Sequence, residues 1–517
     1  MFRVNTPPWE INLIADQRIA IIGAGIGGLA AALRLSHAGA QVDVFDLHPD
    51  PGGKIRTIPS SAGPVDAGPT VLTLIDVFEA LYADVGEDLH SELKLTPLHT
   101  LARHFWEDGT VLDLTVDPNE NRAAIAQTFG PEEAARFAAF DDRARRLFDA
   151  FDAPMMRHNA PDTKQMVQTV LRRPRIAIDM APHLTLAQLL RRSFQSPHLQ
   201  QLFGRYATYV GGSPLAAPAL LSLIWNAEAR GVWTLENGMH SLAKSMASLA
   251  TARGARFHFQ TPVRRIIQQG GRVTGIETKD ARIDADVVLF NGDPRALKQG
   301  ALGPTGEAAV DHQAAEPRSL SAYVHAFSAA PSGIELSHHN VFFSTKLNAE
   351  FGPLSRGQRP TDATLYLCAQ DHGRVAVNAD QRFEIIMNGP PDSSAGAEEK
   401  DPCQTHTFQR LKDFGLHFDR IPGPAALTTP AEFNQLFPES LGSLYGRSPH
   451  GLTAGMKRPQ ARTKVPGLYL CGGGAHPGAG IPMATLSAKH AVDAMMSDLS
   501  SISTSPQTAT RGGMSTA

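Results

Sequence analysis

The residues Gly23-Ala24-Gly25-Ile26-Gly27-Gly28 have the types and spacing of a loop that can grip a diphosphate. Glycine at 23 permits a tight turn, at 25 it lets the backbone approach an anion, and at 28 it lets a helix pack against a strand. A helix that starts at such a loop turns its free N–H groups toward the phosphates. Asp46 follows about 20 residues later, where a carboxylate accepts hydrogen bonds from ribose hydroxyls and repels a 2′-phosphate. Ile26 and Gly27 complete the cradle. The pattern describes a dinucleotide site for an unphosphorylated ribose.

Two more glycine-rich stretches favour FAD over NAD. Pro51-Gly52-Gly53-Lys54-Ile55-Arg56 comes directly after the first unit, followed by Asp66-Ala67-Gly68-Pro69-Thr70. Backbone of this kind can lie along an extended cofactor, with Lys54 and Arg56 available to its diphosphate. Near the other end, Cys471-Gly472-Gly473-Gly474-Ala475-His476-Pro477-Gly478-Ala479-Gly480-Ile481-Pro482 precedes a helix. Dense glycine before a helix N-terminus suits contact with a flat ring and its carbonyls. No second G-x-G-x-x-G follows a strand, so a separate NAD(P)H site is not expected.

These motifs need elements to hold them. Arg18–Ile22 reads as a strand, Gly27–His37 as a helix and Gln41–Phe45 as a strand, one βαβ unit. From Leu101 to about Trp225 the pattern is mostly helical. From Gly254 short strands return, and the last apolar strand, Leu468–Cys471, leads into a helix over Met483–Met496. The fold class is therefore α/β: a discontinuous Rossmann-type FAD-binding domain (18–100, 226–293 and 451–497) carrying an inserted mixed α+β substrate domain with a mainly helical, membrane-docking region (101–225 and 294–450). Residues 1–17 form an N-terminal extension. Residues 498–517, poor in large apolar side chains, read as a disordered tail.

At 517 residues the chain is long enough for two or three domains. A net charge of -3 offers no basic field, so nucleic acid is not an expected partner. Three scattered cysteines suggest neither a structural zinc site nor a disulfide framework and suit a reducing cytoplasm. No metal is expected. The first residues lack a signal peptide's apolar core, and no run approaches the roughly 20 apolar residues of a spanning helix.

The pairing of GAGIGGLAAALRL, PGGK and DAGPT with the distant LYLCGGGAHPGAGIP resembles the bacterial carotenoid desaturases, the phytoene-desaturase-type flavoproteins. The likeness runs from about Arg18 to Met496. Gly68–Thr73 and Leu202–Gly211 are most similar to its 1-hydroxycarotenoid 3,4-desaturase (methoxyneurosporene dehydrogenase) branch. The resemblance implies that Gly23, Gly25, Gly28, Asp46, Gly53, Lys54 and Arg56 contact the adenosine and diphosphate of FAD. It implies that Val263 holds the adenine through its backbone. Gly472, Gly473, Ile481, Pro482 and Met483 would meet the ribityl and isoalloxazine, with Pro69 and Thr70 also at the cofactor. Ala475 departs from the threonine frequent in relatives, and Met483 is larger than its usual counterpart.

The implied reaction moves a hydride from a saturated carbon to the flavin and removes a proton from the neighbouring carbon, creating a C3–C4 double bond in 1-hydroxy or 1-methoxy acyclic carotenoids such as hydroxyneurosporene. His476 is the catalytic candidate, although a structural role in its loop is the commoner one for such a histidine. Arg205, Tyr206 and Tyr209 are candidates for the substrate hydroxyl, against the plainer reading of helix packing. A water-insoluble substrate calls for a peripheral membrane contact, placed at Met166–Phe194, where apolar and basic residues mix. Oxygen or a quinone is the expected electron acceptor. Two alternatives stand beside this reading: phytoene or neurosporene desaturation or isomerisation within the family, and a non-catalytic prenyl-binding escort of the same fold.

Overall fold

The computed structural model describes residues 14–15, 17–376, 379–392 and 400–504. Its first sheet gathers five parallel strands from distant parts of the chain: β1 (Arg18–Ile22), β2 (Gln41–Phe45), β3 (Arg256–His258), β4 (Val287–Phe290) and β5 (Leu468–Leu470). The spatial order is β5-β4-β1-β2-β3. β1 lies at the centre, with Ile21 opposite both Val44 and Leu289, and both faces of the sheet are covered. That is why these strands are nearly continuous in Ile, Val, Leu and Phe.

The helix α1 (Ile26–His37) follows β1. It packs between α2 (His240–Ala252) and α3 (Ile481–Thr504). Ten of its twelve residues are buried, which explains the run GGLAAALRL: small side chains let helices approach on more than one side. The N-terminal and C-terminal glycine motifs therefore belong to one layer.

A second sheet has seven strands, in the order Leu427–Thr428, Ser321–Ala329, Gln381–Gly389, Leu365–Ala369, His339–Phe342, Thr100–Phe105, Val111–Thr115. All neighbours are antiparallel except His339–Phe342 with Thr100–Phe105. Tyr366 faces Ile386 on one side and Val341 on the other, while Cys368 faces Glu384 and His339. Alternation then places Glu384, Ile386, Asn388, Thr364, Tyr366, Cys368, His339 and Val341 on one face. Helices between Pro118 and Ala229 cover that face through an aromatic cluster of Phe137, Phe140, Phe194, Phe203, Tyr206 and Trp225.

Three expectations need correction. The stretch beginning at Leu101 opens with two strands, TLARHF, mostly buried, and VLDLT, which alternates in burial, before helices begin at Pro118. The last helix starts at Ile481 and runs to Thr504, so residues 498–504 are helical rather than tail; residues 505–517, like 1–13, lie outside the described residues. In the Met166–Phe194 stretch, Leu186, Leu189 and Leu190 are buried while Arg191 and Arg192 stay exposed, so the exposed large apolar residues are confined to the part before Met180.

Candidate active site

The two glycine motifs meet at Asn291, the residue after β4. Its side-chain amide donates to the Gly23 carbonyl at 3.2 Å. A Cβ on Gly27 would stand 2.7 Å from the Gly472 Cα and 2.6 Å from the side-chain Oδ1 of Asn291. Gly52 donates its N–H to the Ala24 carbonyl at 2.9 Å, and a Cβ on Gly53 would reach within 3.0 Å of the Gly25 Cα. Loops that are distant in sequence thus touch through bare backbone, which requires glycine on both sides.

Gly25 caps α1 without any side-chain hydrogen bond, and the first turn holds no acidic residue. Its leading N–H groups, at Ile26, Gly27 and Gly28, are oriented for an anion. Asp46 is buried at the end of β2; its carboxylate accepts from the Ala24 N–H at 2.6 Å and the His48 N–H at 2.8 Å. It pins the glycine loop while each oxygen keeps a lone pair for a ribose hydroxyl. The chain past β3 returns along the same edge, with the Thr261 N–H on the Asp46 carbonyl, and brings Val263 beside the core that contains Phe45.

Lys54 and Arg56 are not surface residues. The Lys54 ammonium donates to the Leu444 carbonyl at 2.5 Å and lies over the Phe437 ring; burial pushes its pKa down to about 8. Arg56 donates to the Thr428 hydroxyl at 2.6 Å over the Phe433 ring, and burial lowers it as well. Lys54 directly follows Gly53, which packs on Gly25, whereas the Arg56 side chain turns to the second sheet at Thr428; the bare glycine backbone and helix N-terminus fit a group bearing a diphosphate.

A cavity opens beside the second glycine run. Gly480, Ile481 and Pro482, at the start of α3, line it, as do Pro69 and Thr70. Arg205, Tyr209, Glu350, Tyr366, Asn388 and Tyr445 line the rest. The Arg205 guanidinium donates to the Tyr209 hydroxyl at 3.2 Å and lies over the rings of Tyr209 and Tyr366. Burial opposes its charge, yet Tyr209 and Glu228 outweigh that and raise its pKa. Tyr209 donates to Glu228, and Tyr206 donates to the other Glu228 oxygen at 2.8 Å. Arg205 and Tyr209 therefore face the cavity, whereas Tyr206 stands behind the wall as part of the aromatic core.

Tyr366, Glu384, Glu350 and His339 did not stand out in the sequence. Their signal is polarity at period two in otherwise apolar strands, as in Thr364, Tyr366 and Cys368, or Glu384 and Asn388. The Thr70 hydroxyl is 2.8 Å from the Tyr366 hydroxyl and donates to Glu384 at 3.2 Å; Tyr366 is 2.8 Å from His339 Nδ1. Burial, with Asp66 nearby, raises the Glu384 pKa well above the usual carboxylate range. Burial, with His338 and Arg205, lowers the His339 pKa well below the usual histidine range.

His476 lies elsewhere. Its Nε2 shares a hydrogen bond with the His158 carbonyl at 2.9 Å and its ring stacks on His490, so it ties the glycine loop to the segment following the helix Pro131–Phe151. It is not among the residues lining the cavity. Met483 packs against the core of the first sheet.

A split parallel-sheet domain with glycine loops at both ends and a cavity at the second loop defines a flavin-binding oxidoreductase. The comparisons agree: the flavin-containing amine oxidoreductase family matches residues 26–329. The hydroxyneurosporene desaturase of Cereibacter sphaeroides is 52% identical across 94% of this chain and 98% of its own length. That of Rhodobacter capsulatus is 46% identical over the same shares, and the 1-hydroxycarotenoid 3,4-desaturase of a Flavobacterium is 30% identical over 92% and 98%. An oxidoreductase from Methanosarcina mazei shares the fold with a TM-score of 0.59 at 15% identity, covering 92% of this chain and 99% of that one. The chain belongs to the carotenoid desaturases of the flavin-containing amine oxidoreductase family.

Proposed function

We propose that this flavoenzyme holds FAD and introduces a C3–C4 double bond into acyclic carotenoids bearing a hydroxyl or methoxyl at C1, hydroxyneurosporene among them. The names of the relatives support the substrate class. The buried acid at Asp46 and the segment at Val263 support an adenosine half. Bound there, the flavin supplies the two-electron acceptor for a hydride leaving carbon. The protein's work is to bring one C–C bond to it and keep water out.

One observation carries the substrate reading. With single bonds of ~1.5 Å, a C1 hydroxyl oxygen is at most about 5 Å from C4. The group that recognises the hydroxyl must therefore share a chamber with the reacting bond. Arg205 and Tyr209 line the same cavity as Gly480, Ile481 and Pro482. The Arg205 guanidinium, held by Tyr209, offers a donor to the substrate oxygen. Expressed in cells accumulating 1-hydroxyneurosporene or, separately, phytoene, the enzyme is expected to add the C3–C4 bond only to the first. Conversion of phytoene instead would overturn the reading.

The substrate arrives from a lipid surface, where the enzyme sits peripherally on the cytoplasmic side of the membrane and passes electrons to oxygen or a quinone. Support comes from the helix Thr163–Arg172, which buries no residue. Val167, Leu171 and Ile178 are 57%, 74% and 69% exposed beside exposed Arg172, Arg173 and Arg175. Such a face suits an anionic interface. No described helix is long and apolar enough to cross a membrane.

A further inference from the structure

Removing a hydride from one carbon leaves its neighbour's C–H bond strongly acidic, so a weak oxygen base is enough to accept the proton if it can pass it on. Among the hydroxyls that line the cavity with Ile481 and Pro482, that of Thr70 is joined to a continuous chain of proton-carrying groups. Gly68 lies against the Lys54 carbonyl, and the Asp66 carboxylate accepts from the N–H groups of Met239 at 2.6 Å and His240 at 3.2 Å. The segment between the cofactor loops and the second sheet is thereby held, and it emerges in the cavity at Thr70. Behind Thr70 come the Tyr366 hydroxyl and then His339 Nδ1, each step 2.8 Å. Two atoms of this cluster, Glu384 Oε1 and His339 Nε2, are buried with no hydrogen-bond partner among the described residues. A second, smaller polar cavity lies behind, lined by Thr70, Asp66, His338, Cys368, Gln370 and Arg382.

We propose that Thr70 accepts the proton lost from substrate carbon and that Tyr366 and His339 relay it inward. As the C–H bond breaks, its electron pair becomes the new C=C bond. The proton goes to the Thr70 oxygen while the Thr70 hydroxyl turns its own proton from Glu384 to Tyr366 and the Tyr366 proton passes to His339 Nδ1, leaving an imidazolium. The hydride's electron pair goes to the flavin. Arg205 above the Tyr366 ring, His338 beside His339, and Cys368, Asp66 and Glu384 around the chain are the charged and titratable groups that face it. The His339 ring meets that of His338, which lines the smaller cavity, edge-on.

The inference rests on the desaturation chemistry but not on which carotenoid is used, so it is tested on whichever carotenoid the enzyme converts. Flavin-loaded wild type, Thr70→Val, Thr70→Ser, Tyr366→Phe and Glu350→Gln are mixed anaerobically with that carotenoid in vesicles. Single-turnover rate, solvent deuterium isotope effect and the carotenoid's binding constant, read from the shift in its absorption, are recorded. Thr70→Val and Tyr366→Phe should slow turnover about 100-fold. Binding should change less than twofold, and Thr70→Ser should restore the rate and the isotope effect. Glu350 also lines the cavity and keeps one oxygen on the Asn388 amide at 2.8 Å. If Glu350→Gln alone abolishes the isotope effect while Thr70→Val retains half the wild-type rate, Glu350 is the acceptor and the relay is wrong. Loss of binding in proportion to rate in Thr70→Val would make Thr70 a substrate anchor and would equally overturn the proposal.

Discussion

Glu384 is an acid whose pKa the fold raises. It lies on an inner strand of the second sheet, fully buried, with its pKa raised by burial and by Asp66. Above the ordinary glutamate pKa the native state therefore binds more protons than the unfolded chain, so stability contributed by this group falls as pH rises toward its folded value. Glu384→Gln removes that slope. Urea melts of variant and wild type should diverge in the variant's favour between pH 5 and pH 8; a difference constant with pH would show that Glu384 is ionised in the native state. Arg205 belongs to the same scale. Replacing it with Ala should cut the preference for hydroxylated over non-hydroxylated polyenes roughly 10- to 100-fold, the worth of a hydrogen bond from a charged donor. Competition between the two carotenoids measures it, and an unchanged ratio would move hydroxyl recognition away from Arg205. Both residues show where sequence reading stops. Arg205 was visible as a basic residue among aromatics, but whether it faced a cavity or solvent depends on Glu228, 23 positions away, and on Tyr366 in the second sheet.

At the level of elements, glycine contact between α1 and the run before α3 is the most exacting feature. Gly27→Ala places a methyl group against the Gly472 backbone, which cannot retreat without moving β5 or α3. A cost of about 3 kcal/mol and loss of bound flavin are expected, whereas Gly423→Ala, with nothing within 4 Å, should stay within about 0.5 kcal/mol. Thermal melts and flavin absorbance on the purified proteins check both. The docking element makes a separate prediction: Val167, Leu171 and Ile178 changed together to Glu should abolish flotation with anionic liposomes while leaving flavin content intact. Persistent flotation would place the membrane contact elsewhere. The βαβ unit and both glycine runs were legible because local rules govern them: glycine spacing, strand alternation and the helical period. The exposure of Leu171 against the burial of Leu189 was not, since both sit on amphipathic basic helices and only the aromatic cluster beneath decides which one is covered.

The whole molecule brings five strands spread from Arg18 to Leu470 into one sheet and sets a second, polar-faced sheet at its edge. The class of this fold was legible because its two anchoring motifs lie at opposite ends of the chain and require an insertion between them. The cavity was not, because its wall combines Thr70, the Arg205 turn, strands 365–369 and 381–389, and the start of α3, none of them near the others in sequence. The central claim is that this arrangement places the C3–C4 bond of a 1-hydroxylated polyene at the flavin. The direct measurement mixes the purified yellow protein, without oxygen, with 1-hydroxyneurosporene or neurosporene, follows flavin bleaching, and locates the new double bond by NMR. Bleaching with the hydroxylated substrate, one C3–C4 double bond formed per flavin and at least tenfold slower reaction of neurosporene are expected, the last from a hydrogen bond of ~1.5 kcal/mol or more. Equal rates for the two polyenes, or a double bond at any other position, would contradict the account.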